Sequence, residues 1–315
     1  MKWYRRTAKS LAIERLRTSG AADSQKQTRR KPNSGTGELP PMDQHVSAQA
    51  QESVAADAFA ALVGTRQIPP FSSRPGGLDV DDAYRVTPRV RRLYEAGGAR
   101  VIGRKVGFTN RTIWPEYGVY APIWGYVFDR SLHDLTALDT LSLASFSEPR
   151  IEPEIVFGLS VAPSAQMDEA ALSSCIEWVA LGFEIVQSIF PGWKFSAADT
   201  IAANGLHGAL LIGPRHPFVP RAAEWQRTLP AFQIELNCDG RLIDRGRAEN
   251  VLGGPLSALR HLVGLLASDP LNPPLAAGEI ISTGTLTRAM PVAAGEVWSA
   301  APTGIALDEI RVQFG

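Results

Sequence analysis

The run Pro149-Arg150-Ile151-Glu152-Pro153-Glu154-Ile155-Val156-Phe157-Gly158 sets two carboxylates two positions apart among β-branched and apolar residues. Such a run predicts a strand. Strand side chains alternate, so Glu152 and Glu154 share one face while Ile151, Ile155 and Phe157 turn to the other, toward a core. The two carboxylates then stand roughly 7 Å apart, where like charges repel and a partly buried pair needs a counter-charge. A divalent cation is the simplest one. Some thirty residues later, Leu181-Gly182-Phe183-Glu184-Ile185-Val186 predicts another strand with a single carboxylate, which makes Glu184 the natural third ligand. Three carboxylates without a nearby Cys or His form a hard-oxygen set suited to Mg²⁺ or Mn²⁺ rather than Zn²⁺. The alternative is a solvated strand face on which Arg150 neutralises Glu152, and Glu-x-Glu by itself does not choose between the two.

Three further stretches carry groups with chemistry. In Val101-Ile102-Gly103-Arg104-Lys105-Val106-Gly107-Phe108, alternation puts Lys105 on one face with Gly103 and Gly107, leaving room for a ligand to approach the backbone, although a strand lysine can equally be solvated. Pro191-Gly192-Trp193-Lys194 opens a loop through Asp199-Thr200-Ile201-Ala202-Ala203-Asn204-Gly205-Leu206-His207-Gly208, polar and long enough to line a site. Thr283-Gly284-Thr285-Leu286-Thr287 reads as a hydroxyl- and glycine-rich turn able to offer donors to a carboxylate, or as an ordinary hairpin loop.

The elements that must position these groups are mostly strands. Helices are expected at 53–62, at Val80–Ala96 with Asp79 as N-cap and a kink at Pro88, at 167–181, and at Pro255–Ala267. Cys175 falls on an apolar stripe of the third of these, with Leu172, Ile176 and Val179. Strands are expected at 124–130, 140–146, 209–212, 232–238, 241–247, 279–283, 296–300 and 310–314, and Asp239-Gly240 is the strongest hairpin signal. Strands outnumber helices without alternating with them, which argues for an α+β fold.

With 315 residues, 44% hydrophobic and 20% charged, the composition suits a soluble globular protein of one large or two small domains. No apolar run reaches the roughly 18 residues of a membrane span. Two cysteines give neither a disulfide framework nor a metal spacing, so the expected compartment is reducing. Net charge is zero but uneven: residues 1–41 hold ten Lys/Arg against three Asp/Glu, a net of +7 that the remainder balances. That segment has no apolar pattern, so residues 1–49 are expected to be a disordered basic tail. A translation start at Met42 is favoured over a targeting peptide or a nucleic-acid-binding tail.

Taken together, Gly103-Arg104-Lys105-Val106-Gly107, the Glu152/Glu154 run, Asp199-Thr200-Ile201-Ala202, Glu249-Asn250-Val251-Leu252-Gly253-Gly254-Pro255-Leu256 and Gly284-Thr285-Leu286-Thr287 occur in an order that resembles the 2-keto-4-pentenoate hydratase and 4-oxalocrotonate decarboxylase group of the fumarylacetoacetate hydrolase superfamily. The resemblance covers roughly residues 55–315. It implies a small helical part over 50–100 and a catalytic mixed β-roll with outer helices over 101–315. It implies a divalent metal, Mg²⁺ or Mn²⁺, on Glu152, Glu154 and Glu184, a catalytic Lys105, and a substrate shell that includes Thr283, Thr285, Asp199 and Asn204. It also implies a cytoplasmic homo-oligomer in aromatic catabolism, acting on a small 2-oxo acid, with no nucleic-acid or membrane partner. The expected reaction is hydration of a 2-hydroxy-2,4-dienoate; decarboxylation of a 2-oxo acid and C–C hydrolysis of an acylpyruvate are the alternatives. Ile123 stands where the family usually has an acidic residue, and Ala203 and Leu206 replace polar groups. His207 is therefore expected either to serve as the acid/base in their place or to be a hydrogen-bonded loop histidine, and Ile123 and Leu206 point to a more apolar pocket.

Overall fold

The computed structural model describes residues 46–315 apart from 112, 113 and 118, so the expected tail lies outside the described residues except for its last four. Those four are part of the fold. The Ser47 side chain accepts from the N–H of Ala50 and starts helix α1 (Ala48–Val63), ahead of the expected position. The Val46 N–H donates to Asp82 Oδ2 at 2.8 Å, tying that start to helix α2 (Val80–Ala96). Asp79 caps α2 as expected, its carboxylate accepting from the Asp82 N–H at 2.7 Å. Pro88 lacks the N–H of an interior helix residue, yet α2 runs as one helix through it. Ala55, Ala58, Ala61 and Leu62 of α1 and Ala83, Val86 and Val90 of α2 bury their small apolar faces in one cluster with Ile189, Phe190, Ala198, Ile201 and Leu206.

Thirteen strands follow: β1 (Val101–Gly107), β2 (Ile123–Phe128), β3 (Leu132–Asp134), β4 (Arg150–Leu159), β5 (Ile176–Val186), β6 (His207–Ile212), β7 (His216–Pro217), β8 (Gln233–Cys238), β9 (Arg241–Arg247), β10 (Ile280–Thr285), β11 (Met290–Pro291), β12 (Val297–Thr303) and β13 (Ile310–Gln313). Nine form one sheet in the order β2-β1-β10-β4-β5-β6-β3, with β11 on β4 and β7 on β5; the rest form a second sheet, β13-β12-β8-β9. The pairs β1–β10 and β3–β6 are parallel, and the others are antiparallel. The large sheet is strongly curled. Lys105 on β1 lies three strand spacings from Glu184 on β5, about 14 Å on a flat sheet, yet their charged atoms are 3.1 Å apart. This is the expected α+β mixed β-roll with outer helices, the longest of them, besides α1 and α2, being Pro255–Ala267. Asp239 and Gly240 take φ of 50° and 74°, as the predicted tight hairpin requires. Among the described residues no helix is long and apolar enough to cross a membrane.

Two sequence expectations fail for tertiary reasons. The helix expected over 167–181 is only Glu169–Ser173; from Ile176 the chain is strand β5, paired along its length with β4. The buried Leu172 and Cys175 at the end of that short helix and Ile176 and Val179 of β5 fall at helical spacing, so the run mimics a continuous helical stripe. Residues 140–146 form no strand, only a single bridge from Leu141 to Phe314.

Candidate metal centre and cavity

The alternation of β4 puts Ile151, Ile155 and Phe157 in the main core and leaves Glu152 and Glu154 together on the concave face. The register then sets Glu184 directly across from Glu152, and Gly182 across from Glu154. One ligand atom from each of the three carboxylates falls within 4.8 Å of the others. Direct cross-strand like charges are destabilising, so this cluster needs compensation. Part of it comes from Lys105, whose Nζ lies 3.1 Å from Glu184 Oε2 and 3.1 Å from the Gly205 carbonyl that accepts from it. That carbonyl sits in a turn where Asn204, Gly205 and Leu206 all take positive φ, of 53°, 64° and 59°. A Cβ at Gly205 would also come within 3.0 Å of Lys105 Cδ, so the turn that seats the lysine depends on glycine there.

Glu154 and Glu184 are held from behind. The Ser282 hydroxyl and the Gly284 N–H both donate to Glu154 Oε2, the latter at 2.9 Å. Glu184 Oε1 is 2.8 Å from His207 Nδ1, and His207 Nε2 is 2.8 Å from Ser131 Oγ. The opposite oxygens, Glu154 Oε1 and Glu184 Oε2, are buried without a hydrogen bond; the close Lys105 ammonium lacks the alignment of one. Buried, unsatisfied carboxylate oxygens that converge are what a hard divalent cation satisfies. The residues present therefore fit such an ion, and both His207 nitrogens are engaged elsewhere, which leaves an all-oxygen donor set.

The charges follow from this geometry. Burial pushes Glu152 up to about 7, against the pull of Lys105 and Arg150. Burial, then Glu184 and Glu152, hold Glu154 well above the usual carboxylate range. Burial would raise Glu184 as well, but the Lys105 charge and the His207 hydrogen bond outweigh it, so it is lowered. For Lys105, burial acts downward, and the facing Glu184, Glu152 and Glu154 more than offset it, so the ammonium is stabilised.

The cluster opens into a cavity of about 320 Å³ lined by Lys105, Glu152, Glu154, Thr285, Arg150 and Arg288, with Val106, Phe108, Ile123, Val186, Trp193, Phe195, Leu206 and Met290 as its apolar wall. Ile123 and Leu206 thus line it as expected, while Ala203 lies wholly in the helix-side core. Of the expected substrate shell, only Thr285 reaches the cavity. Asp199 is fully buried, and its carboxylate accepts from the Ser72 N–H and hydroxyl and from the Ser196 N–H and hydroxyl, at 2.7–2.8 Å. It is the capping-box residue of helix α4 (Ala197–Ala202), α3 being Glu169–Ser173. Asn204 exchanges hydrogen bonds with the backbone of Tyr126 and so pins β2 to the turn. Thr283 lies inside β10, its hydroxyl donating to the Ile155 carbonyl. His207 backs Glu184 and does not line the cavity.

Arg150 does not neutralise Glu152 by an ion pair; its guanidinium lies 4.0 Å over the Trp193 ring. No motif or spacing marked Ser282, Ser131 or Thr109. Thr109 lines the cavity with a buried hydroxyl that has no partner among the described residues. These residues come from distant segments, and only the roll brings them together.

The Fumarylacetoacetate (FAA) hydrolase C-terminal family matches residues 122–313. A 2-hydroxyhexa-2,4-dienoate hydratase of Comamonas testosteroni is 32% identical over 241 residues, covering 76% of this chain and 88% of the relative. A 2-keto-4-pentenoate hydratase of Paraburkholderia xenovorans is 28% identical over 268 residues, 84% of this chain and 95% of the relative. Among solved structures, 4-oxalocrotonate decarboxylase from Pseudomonas putida G7, complexed with magnesium and adipate, superposes with a TM-score of 0.78 at 24% identity, covering 87% of this chain and all of that one. Fumarylpyruvate hydrolase from Pseudomonas aeruginosa, in complex with Mn²⁺ and pyruvate, gives a TM-score of 0.51 at 16% identity, covering 67% of this chain and 88% of that one.

Proposed function

The chain belongs to the fumarylacetoacetate (FAA) hydrolase C-terminal family, and on that premise we propose that it is a metal-dependent hydro-lyase adding water to a small 2-hydroxy-2,4-dienoate. The observation that carries this reading is the convergence of Glu152, Glu154 and Glu184 beside the Lys105 ammonium at the cavity. Those carboxylates would hold Mg²⁺ or Mn²⁺, which supplies Lewis acidity toward the oxygens of a 2-oxo acid.

The remaining chemistry falls to side chains of the chain itself. The substrate must become a ketone, taking a proton at its far carbon, before water adds to the conjugated double bond. Lys105 presents a fixed positive charge to the oxygen that gains negative charge on the way. Apart from the metal-binding glutamates and two arginines, which do not deprotonate, it is the titratable group among the cavity-lining residues, so it is the one able to pass a proton. The Thr109 hydroxyl, which has no partner among the described residues, lies in the same wall as a donor to the substrate carboxylate, while the Thr285 hydroxyl beside it donates to the Thr287 carbonyl at 3.0 Å. The apolar residues opposite them accept the hydrocarbon chain.

A C–C hydrolase would need a base to activate water, and His207, the residue expected to supply it, faces Glu184 and Ser131 instead. Decarboxylation is not favoured either, because the decarboxylase likeness is one of fold at 24% identity, whereas the relatives at 28–32% are named hydratases. The proposal extends to a cytoplasmic homo-oligomer in aromatic catabolism, with a helical part before residue 101 flanking the catalytic roll. The test is incubation of Mg²⁺-loaded protein with 2-hydroxypenta-2,4-dienoate. The dienol absorbance should fall as a 4-hydroxy-2-oxo acid forms, and Lys105→Met should slow this by about 10²–10⁴ while keeping Mg²⁺ affinity. Carbon dioxide release from a 2-oxo-enedioate, or acylpyruvate cleavage, with no dienoate consumed would overturn the reading.

A further inference from the structure

We infer that Glu148 is a positioning residue for the cavity: it holds Trp193 in the cavity wall and thereby sets how the site discriminates between 2-oxo acids of different chain length. The inference rests on the metal-centred reading above and adds to it a residue that lies outside the cavity lining. In the apolar wall, Val106, Ile123, Val186 and Met290 belong to strands β1, β2, β5 and β11, so sheet register fixes them. Trp193 and Phe195 line the same cavity but come from the connection between β5 and helix α4, where no strand pairing places them. Their position must be set by local bonds.

Those bonds converge on Glu148. Its Oε1 accepts from the Gly192 N–H at 3.0 Å, and its carbonyl accepts from the Trp193 indole Nε1–H at 3.1 Å. The same Oε1 accepts from Gln67 Nε2 at 2.7 Å, and that amide also donates to the Ser188 carbonyl at 3.1 Å. One residue thus grips both the turn and the ring, and ties them to the segment that follows helix α1. The backbone there is not one that these residues adopt unaided. Glu148, Gly192 and Trp193 take φ of 44°, 64° and 59°, and the left-handed region is unfavourable for a non-glycine residue. Two such residues bonded to each other persist because surrounding contacts hold them, and outliers of this kind cluster at ligand clamps. The indole in turn carries the Arg150 guanidinium at 4.0 Å and packs beside Phe195 at 6.0 Å between ring centroids. A shift of Trp193 therefore disturbs two further side chains of the cavity lining. The Glu148 bonds are exposed, so water competes for them and they add little to folding stability. What they determine is where the ring stands.

The test titrates Mg²⁺-loaded protein calorimetrically with two saturated acids that cannot be hydrated, 2-oxopentanoate and 2-oxohexanoate, which differ by one methylene. A fixed wall should make the wild type distinguish them by about tenfold or more. Glu148→Gly removes the carboxylate while suiting the left-handed backbone. It should bring the two affinities close to equal, with the melting temperature unchanged and Mg²⁺ affinity within about twofold. Glu148→Gln keeps an oxygen that accepts from Gly192 and Gln67, and should retain the wild-type ratio. Equal binding of the two acids by the wild type overturns the inference, as does a Glu148→Gly protein with the wild-type ratio or a Glu148→Gln protein that loses it. A Glu148→Gly protein that melts lower and weakens Mg²⁺ and both acids together also overturns it, since the residue would then act on the fold alone. Binding of neither acid by the wild type overturns the metal-centred reading, and this inference with it.

Discussion

At Glu184 a histidine does positioning work. His207 Nδ1 lies 2.8 Å from Glu184 Oε1, and Ser131 holds the other ring nitrogen, so the ring fixes which carboxylate oxygen turns inward. Partners of metal ligands typically contribute 10- to 100-fold in affinity. His207→Ala should therefore weaken Mn²⁺ binding by about 10- to 100-fold, measured by calorimetry; unchanged affinity would return His207 to a purely packing role. The protonation of the other two glutamates gives a second test. Burial raises Glu152 to about 7, and burial together with Glu184 and Glu152 raises Glu154 well above the usual carboxylate range, so the metal-free pair holds its protons more readily than free carboxyls do. Uptake of Mg²⁺ at pH 6 should thus release protons, and affinity should rise with pH. Calorimetric heats in two buffers of different ionisation enthalpy give the number; a value of zero would contradict the protonated pair. At this scale the sequence was informative for residues on one strand, since Glu152 and Glu154 share a face by alternation alone. It was uninformative for His207 and Asp199, because a loop residue's direction is set by its partners and not by a period.

Among the elements, helix α4 shows how a polar run can serve architecture. Asp199 was expected to touch substrate, yet its carboxylate closes the capping box with Ser196 and also takes both donors of Ser72, drawing the 71–73 turn onto the helix. Losing a cap costs roughly 0.5–2 kcal/mol, and stranding buried donors adds to that. Asp199→Ala should destabilise the protein by about 2 kcal/mol or more in urea unfolding, with Mg²⁺ affinity preserved; a loss of affinity without a loss of stability would restore its place in the site. Strands β4 and β10 and helix Pro255–Ala267 were legible from alternation and amphipathic spacing. Strand β5 was read as a helix at its start, because Leu172, Cys175, Ile176 and Val179 keep a helical spacing across the junction of α3 and β5.

The whole molecule confines an excess of negative charge that its fold alone does not neutralise. The roll brings one ammonium to three carboxylates, and burial with the unbalanced charge raises Glu152 and Glu154. A carboxyl whose folded pKa exceeds its unfolded value binds more protons when folded, so stability falls as pH rises between the two values. For Glu152 that window runs from the ordinary 4.5 to about 7, at an expected cost on the order of 2–3 kcal/mol. The raised Lys105 acts only at alkaline pH, and the lowered Glu184 acts only below the usual carboxylate range, so neither opposes the trend in that window. Metal-free protein should accordingly melt at a lower temperature at pH 7.5 than at pH 5, and saturating Mg²⁺ should remove the difference; a melting temperature that rises over this range would contradict it. The most direct measurement is Glu154→Gln, which keeps the shape of the fully buried Glu154 and removes one ligand charge. Wild-type protein titrated with Mn²⁺ should show one site and, so loaded, should hydrate 2-hydroxypenta-2,4-dienoate, whereas Glu154→Gln should lose both at unchanged fold. A Glu154→Gln protein that binds Mn²⁺ and turns over the dienoate as the wild type does would contradict the three-carboxylate centre.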